Sequence, residues 1–321
     1  MSLIARLLAA LTAALAALLL AAPAQAANCT VTAATNANLG SQTSYTVIGG
    51  MVPTVTTTAG LDCPGALLNL LSADYARATA TSSNGYTLRS AAGDAISYRL
   101  SADPSGSFTF TQGGTVDYMN PQLLSLLGLG QSNLSTPLYT KLTASPNVPA
   151  GTYSDTVTIN WQWSICRGVG TLGACVLRET GSGTTILTVT MIVTKDCRLT
   201  APPVSFGSAP LVSKFTPVTQ AVQIACTKGA SYAVSFTAGA AGTARPWRTM
   251  SDGAGNVLHY NIYRADGTTV WDESNPLPVA TLGTGATTPD QATAYVAKID
   301  TTQATPPAGS YTDTISVLVT F

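Results

Sequence analysis

Eleven residues occur twice in this chain. Pro149-Ala150-Gly151-Thr152-Tyr153-Ser154-Asp155-Thr156-Val157-Thr158-Ile159 returns as Pro307-Ala308-Gly309-Ser310-Tyr311-Thr312-Asp313-Thr314-Ile315-Ser316-Val317. Six of the eleven positions are identical, and the others exchange Thr with Ser or Val with Ile. In both copies Pro-Ala-Gly marks a turn, and the alternation after it marks a strand. Each half also opens on a cysteine, Cys29 and Cys197, and carries a second one after a Thr/Val-rich stretch, Cys63 and Cys226. A chain repeated in this way is expected to build two related β units rather than one large sheet.

Six cysteines allow 15 pairings. The repeat narrows them: by correspondence Cys29 pairs with Cys63 and Cys197 with Cys226, which leaves Cys166 and Cys175 to close a short hairpin-like loop. Disulfides need an oxidising compartment, and the N-terminus supplies a route to one. Arg6 precedes an apolar run over residues 7–22, and Ala24-Gln25-Ala26 has the small-x-small form of a signal-peptidase site. The run is shorter than the ~20 residues a spanning helix needs. Residues 1–26 therefore read as an export signal, and the remaining chain divides into 27–195 and 196–321.

Strand signals dominate: residues 44–48, 54–58, 107–111, 156–163, 184–194, 232–237 and 257–263 are β-branched or aromatic-rich runs bounded by Gly, Pro, Asn and Asp. Two short helices are expected, over 65–78 and 121–129. The fold class is all-β, with two packed immunoglobulin-like β-sandwiches. The halves differ after the repeated strand. In the first, a further strand over 184–194 returns before Cys197, whereas the second stops at Phe321. If the topologies match, the second half lacks its last strand, and Ile315, Val317, Val319 and Phe321 line an apolar face beside an unpaired edge. Such an edge is a hazard alone and a binding site if a partner supplies the strand. The opening segment of the second half covering that edge is the alternative.

The second half resembles the spore coat protein U domain family, which includes subunits of archaic (Csu-type) chaperone–usher pili. The matching residues are Cys197, Phe206-Gly207, Cys226-Thr227, Arg248 with Met250, Leu258-His259-Tyr260-Asn261-Ile262-Tyr263, Val270-Trp271, Tyr295 and the closing strand from Gly309 to Thr314. The first half matches only at its cysteines and its Pro-Ala-Gly-Thr-Tyr strand. The resemblance implies an incomplete pilin fold, with a periplasmic chaperone, an outer-membrane usher and the next pilin subunit, as strand donor, for partners. Cleavage after Ala26 leaves Ala27 and Asn28 ahead of Cys29, about 7 Å of chain, too short for a donor strand. The chain is thus expected to accept a strand without giving one, at the tip of a surface fibre.

What such a tip binds must be read from an uncharged surface. Charged residues make up 9% of the chain, and 15 Lys and Arg balance 15 Asp and Glu. No basic cluster exists for nucleic acid. The most apolar stretch after the signal is Asn120-Pro121-Gln122-Leu123-Leu124-Ser125-Leu126-Leu127-Gly128-Leu129-Gly130. Its leucines, Leu123, Leu124, Leu126, Leu127 and Leu129, are candidates for contact with an abiotic or host surface. A helix with Leu123, Leu124 and Leu127 turned inward is the competing reading. Residues 66–71 form a second candidate. Trp161 and Trp163 share one strand face and are expected in the core.

Catalytic chemistry is thin. His259 is the single histidine, inside a strand-like run, and no Gly-x-Ser-x-Gly element accompanies it. The cysteines are absorbed as disulfides, so neither a metal site nor a cofactor is expected. The expected function is a tip adhesin of a chaperone–usher pilus, exported to the cell surface and supporting attachment and biofilm formation. A secreted carbohydrate-binding or hydrolytic β-sandwich and a structural coat component are the rival classes.

Overall fold

The computed structural model describes residues 28–64, 73–127, 133–134, 136–169, 174–286 and 290–321. The export signal, the candidate at 66–71 and Leu129 lie outside the described residues. Twelve strands come from the first half: β1 (Thr30–Val31), β2 (Ala37–Thr43), β3 (Val55–Thr58), β4 (Leu61–Pro64), β5 (Tyr75–Ser82), β6 (Thr87–Arg89), β7 (Ala95–Ser101), β8 (Gly114–Asp117), β9 (Asn133–Leu134), β10 (Pro137–Leu142), β11 (Gly151–Val169) and β12 (Cys175–Thr194). The second half gives β13 (Cys197–Thr200), β14 (Val218–Cys226), β15 (Ala233–Phe236), β16 (Arg248–Ser251), β17 (Val257–Arg264), β18 (Leu277–Pro278), β19 (Gln291–Ile299) and β20 (Val317–Thr320). Among the described residues, strands of 30–194 pair with one another, as do those of 197–320, and each group encloses its own apolar core.

The repeated segment is the axis of each half. In the first, β11 and β12 form a long antiparallel hairpin, registered from Gly151↔Val193 to Val169↔Cys175. Period-two alternation turns Leu187, Val189, Met191 and Val193 inward, while Ile186 and Ile192 face solvent. The other edge of β12 pairs in parallel with β2, from Val189↔Ala37 to Thr194↔Thr43. Trp161 and Trp163 are buried, Trp161 donating from its ring N–H to Ala59 O at 3.1 Å. Gly181 faces Trp163 across the hairpin, where a Cβ would overlap the indole ring. A small residue there makes room for a large neighbour.

Three disulfides form, Cys29–Cys63, Cys166–Cys175 and Cys197–Cys226, as the repeat predicts. The second-half core is built round Trp271, whose ring lies edge-on to Phe236 at 4.9 Å. Arg248 is wholly buried there. Its guanidinium donates to Thr237 O (2.9 Å), Phe236 O (3.2 Å), Trp271 O (3.0 Å) and Asn261 Oδ1 (2.5 Å). Four acceptors offset the cost of burying the charge, and they explain why Arg248, Asn261 and Trp271 stand together in one signature.

Three local expectations are corrected. Residues 44–48 are not a strand but helix α1 (Ser44–Ile48). Thr43 caps it by accepting from Thr46 N at 3.1 Å, and Gly49 ends it, so capping outweighs the β-branched composition. Residues 107–111 make a bridge only at Thr109, to Ser101. The buried Asp103 carboxylate captures the N–H groups of Ser107 (3.2 Å) and Phe108 (2.7 Å), which bends the chain into a turn. The helix expected over 65–78 fails at its C-terminal end: Tyr75–Ser82 is β5, paired with β11, and Ala76, Ala78 and Ala80 are buried at period two. Alanine propensity lost there to the sheet. The second helix is present as α2 (Pro121–Leu127), capped by Asn120, whose Oδ1 accepts from Gln122 N at 2.9 Å.

Candidate strand-acceptor groove and surface-facing end

The repeat provides an internal standard for the second half. Tyr153 donates its hydroxyl to Pro149 O, and Tyr311 to Pro307 O, both at 2.8 Å. Asp155 accepts from Tyr98 at 2.7 Å, and Asp313 from Tyr260 at 2.6 Å. Ser154 pairs with Arg89 and Ile159 with Ala80. The corresponding Thr312 pairs with Ser251 and Val317 with Phe236. The two strands therefore sit in equivalent frames, and each is bonded along the same edge.

The opposite edge differs. In the first half it is occupied by β12, and Tyr153, Val157, Ile159, Trp161 and Trp163 are all buried. Their counterparts Tyr311, Ile315, Val317 and Val319 are only partly buried, and Phe321 is 54% exposed. Among the described residues no strand pairs with this second edge of β20. A cavity of about 350 Å³ lies along it, with Ala201, Pro202, Val204 and Phe206 on one wall and Tyr311, Ile315 and Val317 on the other. Residues 201–206 form no ladder. A second cavity of about 350 Å³, lined by Phe215, Leu258 and Pro306, continues from Tyr311. Together they make a groove with apolar walls and an open backbone edge. Such a groove can take an extended segment whose alternate side chains are apolar, bonding it through the main chain.

The electrostatics of the groove are mild. Burial first, and then the Asp313 carboxylate, push the Tyr260 phenol well up, so it stays a neutral donor. The same arrangement raises Tyr98 beside Asp155. Burial likewise pushes Tyr86 and Tyr153 up to about 12. Among the described residues no cluster of His, Cys, Asp or Glu could hold a metal ion.

The five candidate leucines separate. Leu123 and Leu124 are buried in the first-half core, which corrects their assignment as surface-contacting residues: α2 turns them inward onto the sheet. Leu127 is partly buried against the same core, and Leu126 is 53% exposed. Sequence reasoning missed another apolar pair. Val176 and Leu177, at the β12 end of the hairpin loop closed by Cys166–Cys175, are 70% and 56% exposed. Their signal was a Val-Leu step directly after Cys175, which was absorbed into the disulfide assignment. At its end β4 pairs with β9, Pro64 opposite Asn133. Asp74 pairs with Arg178 at 2.9 Å near the hairpin end. The Cys29 backbone N–H also reaches Glu179 at 2.6 Å there.

Fold and groove together define a disulfide-stapled tandem of immunoglobulin-like β-sandwiches of the pilin kind. The sequence profile of the spore coat protein U domain matches residues 15–160 and 183–318, and the chain belongs to that family. The first half is thus matched well beyond the cysteines and the single strand that carry its resemblance in the sequence. Among solved structures the chain is similar to one in the CsuC–CsuE chaperone–tip adhesion subunit pre-assembly complex from archaic chaperone–usher Csu pili of Acinetobacter baumannii. That likeness has 22% identity, a TM-score of 0.62, and covers 91% of this chain and 100% of that one. The CupB6 tip adhesin from Pseudomonas aeruginosa is a more distant match, at 15% identity and a TM-score of 0.31 over 91% of this chain and 93% of that one. No curated protein matches the sequence.

Proposed function

We propose that this protein is the tip adhesin subunit of a chaperone–usher pilus, a binding and structural protein rather than an enzyme. Its second half, from residue 196, accepts a strand from a neighbouring pilin after a periplasmic chaperone and an outer-membrane usher have handled it. The observation that carries this reading is the contrast between two equivalent strands, one buried under β12 and the other flanking an open groove. Ile315, Val317, Val319 and Phe321 are the residues an incoming strand covers. Its first half, residues 27–195, carries Leu126, Val176 and Leu177 exposed. Adhesion to an abiotic or host surface, leading to biofilm, is assigned to this half, with Leu126, Leu129 and residues 66–71 as the candidate contacts.

The test is co-expression in a periplasm with a chaperone of a chaperone–usher pilus from the same organism. A stable complex should form with the intact chain and be lost when residues 314–321 are deleted or when Ile315 and Val317 are both changed to Asp. A chain that folds alone as a stable monomer, with no complex and one cooperative melt for each half, would refute the strand-acceptor reading.

A further inference from the structure

We infer that the joint between the two halves is a rigid, built interface rather than a hinge, so that the direction of the surface-facing end is set relative to the groove. The inference does not depend on what the groove accepts. Relative motion is the ordinary expectation for two units on one chain, and three separate contacts oppose it here. The connection itself is Lys195 and Asp196, lying between β12 and β13. Two residues span about 7 Å, which leaves little slack.

The first contact is made by α1. Ser44, 1% exposed, meets Thr227, fully buried, with their hydroxyl oxygens 2.7 Å apart. Thr227 Oγ1 also accepts from Asp196 N at 2.8 Å and donates to Asp196 O at 3.0 Å. A hydroxyl has one proton and two lone pairs, so Ser44 is the donor and Thr227 is saturated by the linker and by the first half at once. Next in sequence, Tyr45 donates its hydroxyl to Ala225 O at 2.6 Å, and the Arg198 guanidinium lies 5.3 Å from its ring. Burying these groups costs free energy unless each is bonded, and the bonds exist only when the halves stand in this pose.

The second contact lies on a different loop of each half. Asn147 donates from Nδ2 to Thr284 O at 2.8 Å, and a Cβ at Gly285 would overlap the Asn147 amide. Gly285 has φ +73° and donates its N–H to Cys226 O at 2.8 Å, so this loop is tied to the end of β14. The third contact, Lys228 with Asp94 at 3.7 Å, is exposed and weak by itself, but it adds a further point of attachment. Cys197–Cys226 ties the strand leaving the linker to the strand that precedes Thr227. Three contacts from different segments of the first half, meeting two segments of the second, together with a two-residue connection, restrict both bending and twisting.

The experiment is a distance measurement by double electron–electron resonance on the full mature chain with its disulfides intact, purified in its chaperone complex, or alone if it folds alone. Spin labels are attached through non-cysteine chemistry at Thr115 and Ala254, both exposed and one in each half. The parent should give a single narrow distribution. Changing Tyr45→Ala together with Asn147→Ala should widen it at least twofold, and Asn147→Ala alone should widen it by a smaller factor. A broad or multiple distribution in the parent overturns the inference. So does a folded double variant whose distribution is as narrow as the parent's. If the double variant does not fold, the parent distribution and the Asn147→Ala variant decide.

Discussion

Asp155 and Gly181 show how single side chains hold the first half together. Asp155 is buried and accepts from Ser82 Oγ, Tyr98 OH, Asn84 N and Thr156 N. Replacing it with Ala strands those donors. Stability is expected to fall by about 3 kcal/mol or more, since each orphaned buried group costs about 1–3 kcal/mol. Denaturant unfolding of the first half, in the chain purified with its chaperone, measures this. Gly181→Val should cost about 1–3 kcal/mol through overpacking against Trp163, whereas Ser182→Ala, on the exposed face, should stay within about 0.5 kcal/mol. The tyrosines set an alkaline limit. Tyr86 and Tyr153 have folded-state values raised from 10.0 to about 12. Their contribution is complete below pH 10, because both folded and unfolded forms are then protonated. It is lost as pH rises from 10 towards 12, where the unfolded chain ionises first. The unfolding midpoint should be flat in that respect up to about pH 10 and decline above it.

Among the elements, the disulfide-closed ladder of β13 and β14 and the hairpin of β11 and β12 make different demands. Converting Cys197 and Cys226 to Ser opens a loop of sequence separation 29. The expected loss is about 3–4 kcal/mol on the chain-entropy account, read from the melting of the second half. On the proposed function, Leu126→Asp combined with Leu177→Asp, the latter at the hairpin end, should reduce attachment of intact fibres to apolar plastic while secretion and assembly continue. Each leucine freed from water is worth about 1.5–3 kcal/mol when fully buried, and many tips acting together multiply a weak contact. Unchanged attachment with fibres still made would remove this end from the adhesive role. Leu123 and Leu124 are unsuitable for the same test, because their loss would unfold α2 from the core rather than change a surface.

For the whole molecule, much of the architecture was legible before any coordinates. The two related halves, the three disulfides, the long strands 156–163 and 184–194 and the inward Trp161 and Trp163 all follow from periodicity and from the repeat. Period two is a local property, and a duplicated strand carries its partners with it. The misreadings are local too. Residues 44–48 have strand composition but a helix cap at Thr43, and residues 75–78 have helix composition but lie against β11. In both, a neighbour in space or a single capping bond of about 1 kcal/mol outweighs preferences of a few tenths.

The sequence by itself determined that this chain is disulfide-bonded, all-β and duplicated, because cysteine count, repeat and alternation are read without reference to distant contacts. It also marked the residues 315, 317, 319 and 321 as an apolar face. Only the tertiary structure decided which apolar residues are free to meet a partner. Leu123 and Leu124 are hidden and Leu126, Val176 and Leu177 are not, a distinction that depends on what packs over each position. The groove beside β20 and the joint at Ser44, Thr227 and Asn147 likewise arise between segments far apart in the chain. Residue order carries no measure of those distances until the sheets have formed.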